Sequence, residues 1–596
     1  MRFGLFYEHQ NPRPWEDERA EHRLMQNALE QVVLADKLGI DYVWEVEHHF
    51  LEEYSHSSAP EVFLAAAAAR TESIRLGHGI VALPPPINHP ARTAERIATL
   101  DLVSGGRVEF GTGEQSSPAE LGGFLVSTRK KRAMWRDALD AITRMFVEEP
   151  FAGWSSEFMQ MPVRNVIPKP MQKPHPPLWV ACSRRETIHL AARNGIGALS
   201  FSFVEPEEAG QWVEEYYRII SSEECVPAGF AVNPNVAVVL PMMCHHDEAT
   251  AIERGIDGAH FFGYSLLHYI LKHHFPGHTS IWEEFWEQRE RSGFSRKAIV
   301  PEDAPLVVKV AQEQVGSLRG AIGTPEQVTD LVKRYEAVGV DQVIFVMQAG
   351  PNKHEHICES MELFASEVMP AFKRQAKRKE NAKAKRLAPA IEAALARREP
   401  AREAPEGYII DPVAEILRAQ RVRRASRSSR SQLDPRKVAR DVRNDTARAI
   451  QRRGLEALER VAERASDEQL HRLFGNPLAL RTFFTGMTQV FDPRYAEGFE
   501  GDILFEIDPP LNGGAPTEPD RWTVRIEDGS AKAIHNAGDG EPAVRMRFSL
   551  PDAIRLITRK IEPAEMLLAE QDRVDFEGDP MVAARLPEMF GQPPLF

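Results

Sequence analysis

Cysteine is scarce in this chain: Cys182, Cys225, Cys244 and Cys358 are the only four in 596 residues, and no two lie close together. No disulfide framework can be read from that spacing, and a reducing cytoplasm is the expected compartment. Long apolar runs are missing too. Met1-Arg2-Phe3-Gly4-Leu5-Phe6 turns polar at Glu8-His9-Gln10-Asn11, and Ala65 to Ala69 is a short piece of helix, so neither a signal peptide nor an integral membrane span is expected. What is present is ordinary for a soluble globular protein, at 43% hydrophobic and 27% charged residues. The length exceeds what one core holds, so two or more domains are expected.

The net charge of -14 hides an asymmetry. Residues 373–453 hold 24 Lys/Arg against 10 Asp/Glu, so that stretch carries +14 and the remainder -28. Its runs Lys377-Arg378-Lys379, Lys383-Ala384-Lys385-Arg386 and Arg421-Val422-Arg423-Arg424, with Pro389, Pro400, Pro405 and Pro412, read as a basic, partly helical linker whose loosest part is 426–431. Apart from Tyr408 it lacks the aromatics that stack on single strands, so no nucleic-acid partner is expected.

Before that linker, β-like runs at 2–7, 42–45, 74–81, 108–111, 177–181, 197–201, 235–244 and 342–347 alternate with helix-length segments at 90–102, 131–146, 186–194, 207–220 and 325–338. Eight βα units predict an α/β fold closed as a (β/α)8 TIM barrel over 1–372. Residues 255–310 are too long for a simple connection and predict an insertion that walls a pocket. That insertion holds His260, His268, His273, His274 and His278, but Pro276-Gly277 lies between the only pair four apart, so no metal is assigned.

The most chemical stretch is Asp41-Tyr42-Val43-Trp44-Glu45-Val46-Glu47-His48-His49-Phe50, which follows a helical segment ending at Gly39. Histidine titrates near neutral pH, and barrel enzymes keep their chemistry at strand ends. Read alone, His48 and His49 favour a half-buried structural pair over a catalytic one, with Glu45 or Glu47 available to orient a ring. Farther on, Cys182-Ser183-Arg184-Arg185-Glu186-Thr187 places a hydroxyl, a guanidinium and free backbone N–H groups at a helix start. That suits a phosphate, or else Ser183 simply caps the helix. Gly77 and Gly79 similarly read as a strand bulge or as a close approach to a planar ring.

Together, Glu47-His48-His49-Phe50, Leu83-Pro84, His89-Pro90, Ala94-Glu95-Arg96-Ile97-Ala98-Thr99-Leu100-Asp101, Ser104-Gly105-Gly106-Arg107-Val108-Glu109-Phe110-Gly111, Pro176-Pro177-Leu178-Trp179-Val180-Ala181 and Gly323-Thr324-Pro325-Glu326-Gln327-Val328 resemble the bacterial luciferase-like flavin monooxygenases. The resemblance implies a barrel that binds reduced FMN as a co-substrate and lets it react with oxygen. It implies His48 as the proton-handling catalytic residue and Ser183, Arg184 and Thr187 beside the phosphate. It also implies a non-proline cis peptide at Gly79-Ile80 under the flavin ring. The family's phosphate arginine after the fourth strand is absent; Glu114 stands there, and Gln115 or Arg184 is expected to take over.

After the linker, 454–596 predicts an α+β domain. A helix at 454–474 precedes alternating strands at 502–507, 521–526 and 543–548, a helix at 551–558, and Glu577-Gly578-Asp579. The order resembles the sterol carrier protein type 2 domain, which implies an apolar tunnel for lipid, or else a docking or dimerisation module. The expected partners are thus a hydrophobic small molecule and a separate flavin reductase, with a homodimer left open. A deazaflavin-dependent dehydrogenase on the same barrel and a non-catalytic flavin or lipid carrier are the competing readings.

Overall fold

The computed structural model describes residues 1–15, 17–201, 205–271, 274–289, 319–412, 465–475, 477–489, 491, 496, 499–508, 519–536, 542–557, 574–578 and 589–590. The chain divides into two compact units, Met1–Tyr408 and Ile409–Phe596.

In the first unit eight parallel strands close a barrel: β1 (Arg2–Tyr7), β2 (Tyr42–Glu45), β3 (Arg75–His78), β4 (Val108–Gly113), β5 (Leu178–Cys182), β6 (Gly197–Ser200), β7 (Val236–Cys244) and β8 (Gln342–Val346). They pair in chain order, and β8 returns to β1 to shut the ring. Side chains alternate across each strand. Phe6, Trp44, Trp179, Val239 and Ile344 point into the barrel, whereas Phe3, Leu5, Val43 and Phe345 face the surrounding helices. Trp44 and Trp179 meet edge to face at 5.3 Å inside the ring. Neighbouring strands make room with glycine: a Cβ on Gly77 would lie 2.3 Å from the Trp44 ring, and one on Gly197 would lie 2.4 Å from Trp179. Gly77 is therefore a packing glycine opposite a large side chain.

The helices follow local signals. Around the barrel run α1 (Ala20–Leu38), α2 (Pro60–Ala68), α3 (Pro90–Val103), α4 (Pro118–Gly123), α5 (Lys131–Val147), α6 (Arg185–Arg193), α7 (Pro206–Ile220), α8 (Glu248–Leu271), α9 (Ile281–Gln288), α10 (Pro325–Ala337) and α11 (His354–Leu363). Helix α1 stops at Gly39, whose φ of 82° suits a residue without a Cβ. Helix α10 starts with a reciprocal box in which Thr324 and Gln327 bond each other's backbone, with Pro325 first in the helix. Two expected boundaries change. Residue 255 is no insertion start, because α8 runs unbroken from Glu248 and Gly255 packs against Met243 of β7. The segment 74–81 is two pieces, β3 and Val81–Ala82, parted at Gly79-Ile80.

A larger difference lies at 373. The basic stretch begins as α12 (Met369–Ala396), part of the first compact unit, which ends at Tyr408. Its Phe372, Ala376, Leu387 and Ala394 are buried, while its cations meet acids that precede barrel strands. Lys373 pairs with Asp41 at 2.5 Å, Lys379 with Glu336 at 2.9 Å and Lys383 with Asp341 at 2.6 Å. Beyond the helix, Arg397 donates to the Cys225 carbonyl and Arg402 bonds Glu148. The charge count read these cations as solvated because their partners are distant in sequence. The segment 426–431 lies outside the described residues.

In the second unit, α13 (Asp467–Phe474) and α14 (Pro477–Gln489) precede β9 (Gly501–Asp508), β10 (Asp520–Glu527), β11 (Ser530–His535), β12 (Val544–Ser549), α15 (Leu550–Ile557) and β13 (Val574–Gly578). The sheet order is β11-β10-β9-β12-β13, with only β9 and β12 parallel. Ile503, Phe505, Ile507, Trp522, Val524 and Ile526 form one apolar core, with Phe484 stacked on Trp522 at 4.9 Å. On the alternate positions Glu506, buried between strands, accepts from Arg521 and Arg545. Strand β11 has no counterpart among the expected elements: it is a half-exposed edge strand paired only with β10. Of the helix expected at 454–474, Asp467–Phe474 is described and 454–464 lies outside the described residues.

Lys383 also donates to Asn235 Oδ1 at 2.5 Å and to the Pro234 carbonyl at 3.1 Å, which gathers the starts of β7 and β8. Lys383→Ala is expected to lower unfolding free energy in urea by about 1–3 kcal/mol, since it strands several polar partners at once. The exposed Lys377→Ala should stay within about 0.5 kcal/mol of the parent.

Candidate active site

The C-terminal ends of β1, β2 and β4 set the site. Strand alternation turns Glu45 outward, where it accepts from Ser57 and lies 2.8 Å from His9, so it cannot reach His48. Glu47 is committed as well: it accepts from the Ala82 backbone at 2.9 Å and from Asn88 at 2.7 Å, and meets His49 at 3.1 Å. Neither carboxylate proposed from the sequence orients His48. The groups that do are Glu120 of α4, 3.0 Å from Nδ1, and Glu8 just after β1, 3.7 Å from Nε2. Glu120 also accepts the His49 backbone N–H at 2.9 Å, and the Ser57 carbonyl accepts that of His48 at 2.8 Å. Tyr54 donates to the other oxygen of Glu8 at 2.9 Å.

The His48 side chain is 16% exposed, Glu8 3% and Glu120 0%. Burial works against a charged imidazole, but Glu120 and Glu8 outweigh it and hold His48 up at about 9. Burial also raises Glu8, to about 7, against the opposing pull of His48 and the Tyr54 hydroxyl. Glu8 opened the first polar turn of the chain and Glu120 stood two residues after Pro118, yet nothing in their spacing linked them to His48.

The residues expected around a phosphate are differently arranged from expectation. Gln115 is buried at a φ of 61° and spends its side-chain amide on the Glu47 carbonyl at 2.8 Å, so it braces the His48 loop. Thr187 is occupied by the backbone of Arg184, accepting its N–H at 3.2 Å and donating to its carbonyl at 2.6 Å. Ser183 and Arg184 are exposed at the start of α6, and no acid pairs with Arg184 among the described residues. Glu114, the residue that replaces an arginine, holds the guanidinium of Arg132 at 2.9 Å. That hydrogen bond raises the Arg132 pKa, and the charge of Glu186 of α6 adds to it. Sequence reading missed Arg132 because it belongs to α5.

Gly79 donates its N–H to the Glu45 carbonyl, continuing the pairing with β2. Among the described residues the cis peptides all precede proline, so the Gly79-Ile80 bond is trans, contrary to expectation. Trans is the low-energy form for a non-proline bond, and the continued pairing accommodates it. A Cβ on Gly79 would crowd Phe6 at 3.1 Å, so the residue borders the barrel interior.

Helices α8 and α9 cover the mouth with aromatic side chains. Phe262 lies 5.7 Å from Tyr54 and 6.4 Å from Phe6, and Phe261 packs on Phe285 at 5.8 Å. Glu53, fully buried, accepts the backbone N–H groups of Ile281 at 2.7 Å and Trp282 at 3.0 Å, tying α9 to the loop that carries His48.

The luciferase-like monooxygenase family model matches residues 1–342 of this chain. The chain belongs to the luciferase-like monooxygenases. A second model, the SCP-2 sterol transfer family, matches residues 495–591. Among curated relatives of the luciferase-like part, the oxygenase component of flavin-dependent trigonelline monooxygenase from Acinetobacter baylyi is 25% identical over 380 residues, 62% of this chain and 96% of that protein. Limonene 1,2-monooxygenase from Rhodococcus erythropolis is 36% identical over 138 residues, 23% of this chain and 35% of that protein. Among solved structures, the monooxygenase RslO1 from Streptomyces bottropensis is 24% identical, with 62% of this chain and 100% of that one covered and a TM-score of 0.49. In this luciferase-like barrel no described helix is long and apolar enough to cross a membrane.

The raised pKa of His48 has a definite sign for stability. Its folded value, about 9, lies above the ordinary 6.5, so the gain from the charged ring, carried mainly by Glu120, is present below about pH 6.5 and is lost as pH rises through 9, while Glu8, raised to about 7, gives up its share as it takes a proton at lower pH. The stability gap between the parent and His48→Gln is expected to be on the order of 3 kcal/mol at pH 6 and to shrink toward zero by pH 10 in urea unfolding.

Proposed function

We propose that the barrel unit is a flavin-dependent monooxygenase that receives reduced FMN from a separate reductase and oxygenates a hydrophobic compound. The observation that carries this reading is His48, held between two buried carboxylates at the mouth of a luciferase-like barrel. The donor set at the start of α6 fits the phosphate of FMN. Backbone N–H groups of the first turn, the Ser183 hydroxyl and the acid-free Arg184 guanidinium would hold it, with Arg132 at the edge. Gly79 and Ile80 would border the ring. When bound, reduced FMN supplies the electrons that activate oxygen. His48 would hold or release a proton beside that reaction, with Glu120 fixing Nδ1 and Gln115 bracing its loop.

The aromatic cover from α8 and α9 favours an apolar substrate and excludes water from the mouth. A separate reductase is supported by the trigonelline enzyme, whose name describes one component of a larger system. The second unit would hold an apolar ligand against its Phe484, Phe505 and Trp522 face.

Anaerobic titration should show saturable binding of reduced FMN, and Ser183→Ala/Arg184→Ala is expected to weaken FMN at least tenfold while leaving riboflavin within about threefold. Equal loss for both ligands would remove the phosphate assignment. In stopped flow under air, His48→Ala should bind reduced FMN like the parent but alter the course of its reoxidation. An unchanged course would take His48 out of the chemistry, and saturable deazaflavin binding without FMN binding would overturn the cofactor.

A further inference from the structure

Each ring nitrogen of His48 faces a carboxylate: Glu120 lies 3.0 Å from Nδ1 and Glu8 lies 3.7 Å from Nε2. A neutral imidazole carries one N–H and one lone pair, so with acids on both sides one nitrogen would turn its lone pair on a carboxylate. Where both acids are ionised, only the doubly protonated ring answers both; Glu8 takes a proton of its own below about pH 7. Charge bookkeeping points the same way. Glu8 and Glu120 are buried, each keeps one oxygen without a hydrogen bond, and no lysine or arginine bonds either carboxylate among the described residues. Two acids in a low-dielectric pocket need a cation or a proton, and His48 is the cation within reach.

We propose that Glu8 and Glu120 clamp His48 as an imidazolium at neutral pH, so that the site offers its ligand a cationic proton donor instead of a base. The inference deepens the flavin reading and rests on His48 being the chemical group of that site. Glu120 anchors the ring through Nδ1 at hydrogen-bond length. The Nε2–H stands beyond that length from Glu8, attracted but not spent, and is free to donate to an electron-rich or anionic oxygen that enters the mouth. Glu8 is thus a positioning residue that acts through His48, and Tyr54 holds its far oxygen. Glu47 is a further titratable group whose charge favours the imidazolium.

Deuterium exchange at the histidine C2–H, read by mass spectrometry with fragment ions that separate His48 from His49, titrates the ring in the full chain without any flavin. The parent midpoint is expected near pH 9. Glu8→Gln, which keeps the shape of the side chain, should lower it by at least one unit, and Glu8→Gln/Glu120→Gln should bring it to the ordinary value or below. A parent midpoint at or below the ordinary histidine value overturns the proposal on the unmodified protein, whatever the variants do. An unmoved midpoint in a folded Glu8→Gln overturns the role of Glu8. Flavin is absent throughout, so failure here is distinct from failure to bind FMN.

Discussion

A buried carboxylate must find a proton, a cation or hydrogen-bond donors, and that constraint organises the mouth of this barrel. Glu8, Glu45, Glu47, Glu53 and Glu120 are all buried within a few residues of the first two strand ends or against them. Each is answered differently. Glu53 accepts the backbone start of α9, Glu47 takes Asn88 and a backbone N–H, Glu45 takes Ser57, and Glu8 and Glu120 share His48. Since these acids sit on one loop or touch it, the aromatic cover, the end of β2 and the His48 imidazole are fixed by the same set of bonds.

The same logic operates at the opposite end of the barrel. Asp41 and Asp341 precede β2 and β8, and the cations of α12 answer them. A helix that looked like a solvated linker therefore closes the base of the barrel, and the first unit extends to Tyr408. The interior between the two ends depends on size matching, with Trp44 and Trp179 filling the ring because Gly77 and Gly197 leave them space.

Much of this was legible because it is local. Eight apolar runs separated by helix-length segments predicted the barrel, and all eight appear within a few residues of their expected limits. Gly39 and Pro325 marked helix ends by rules that need only neighbouring residues. The site was legible only in part. Histidines at a strand end and a hydroxyl-arginine helix start could be seen in order, but the partners of His48 could not, since Glu8 and Glu120 come from β1 and α4 and meet it only through strand order. Gln115 was expected at a phosphate and instead supports a carbonyl, a choice made by backbone direction at φ 61°.

By itself the amino-acid sequence determined the alternation of strands and helices, the family, and the presence of a second α+β unit, because periodicity, capping and motif order are properties of contiguous residues. Tertiary structure alone decided which carboxylate faces which cation. Electrostatic pairing depends on distances of three or four ångströms between residues tens to hundreds of positions apart, as in Glu8 with His48 and Lys373 with Asp41. That is why two basic residues of equal appearance, Lys377 and Lys383, end one in solvent and the other beneath the barrel.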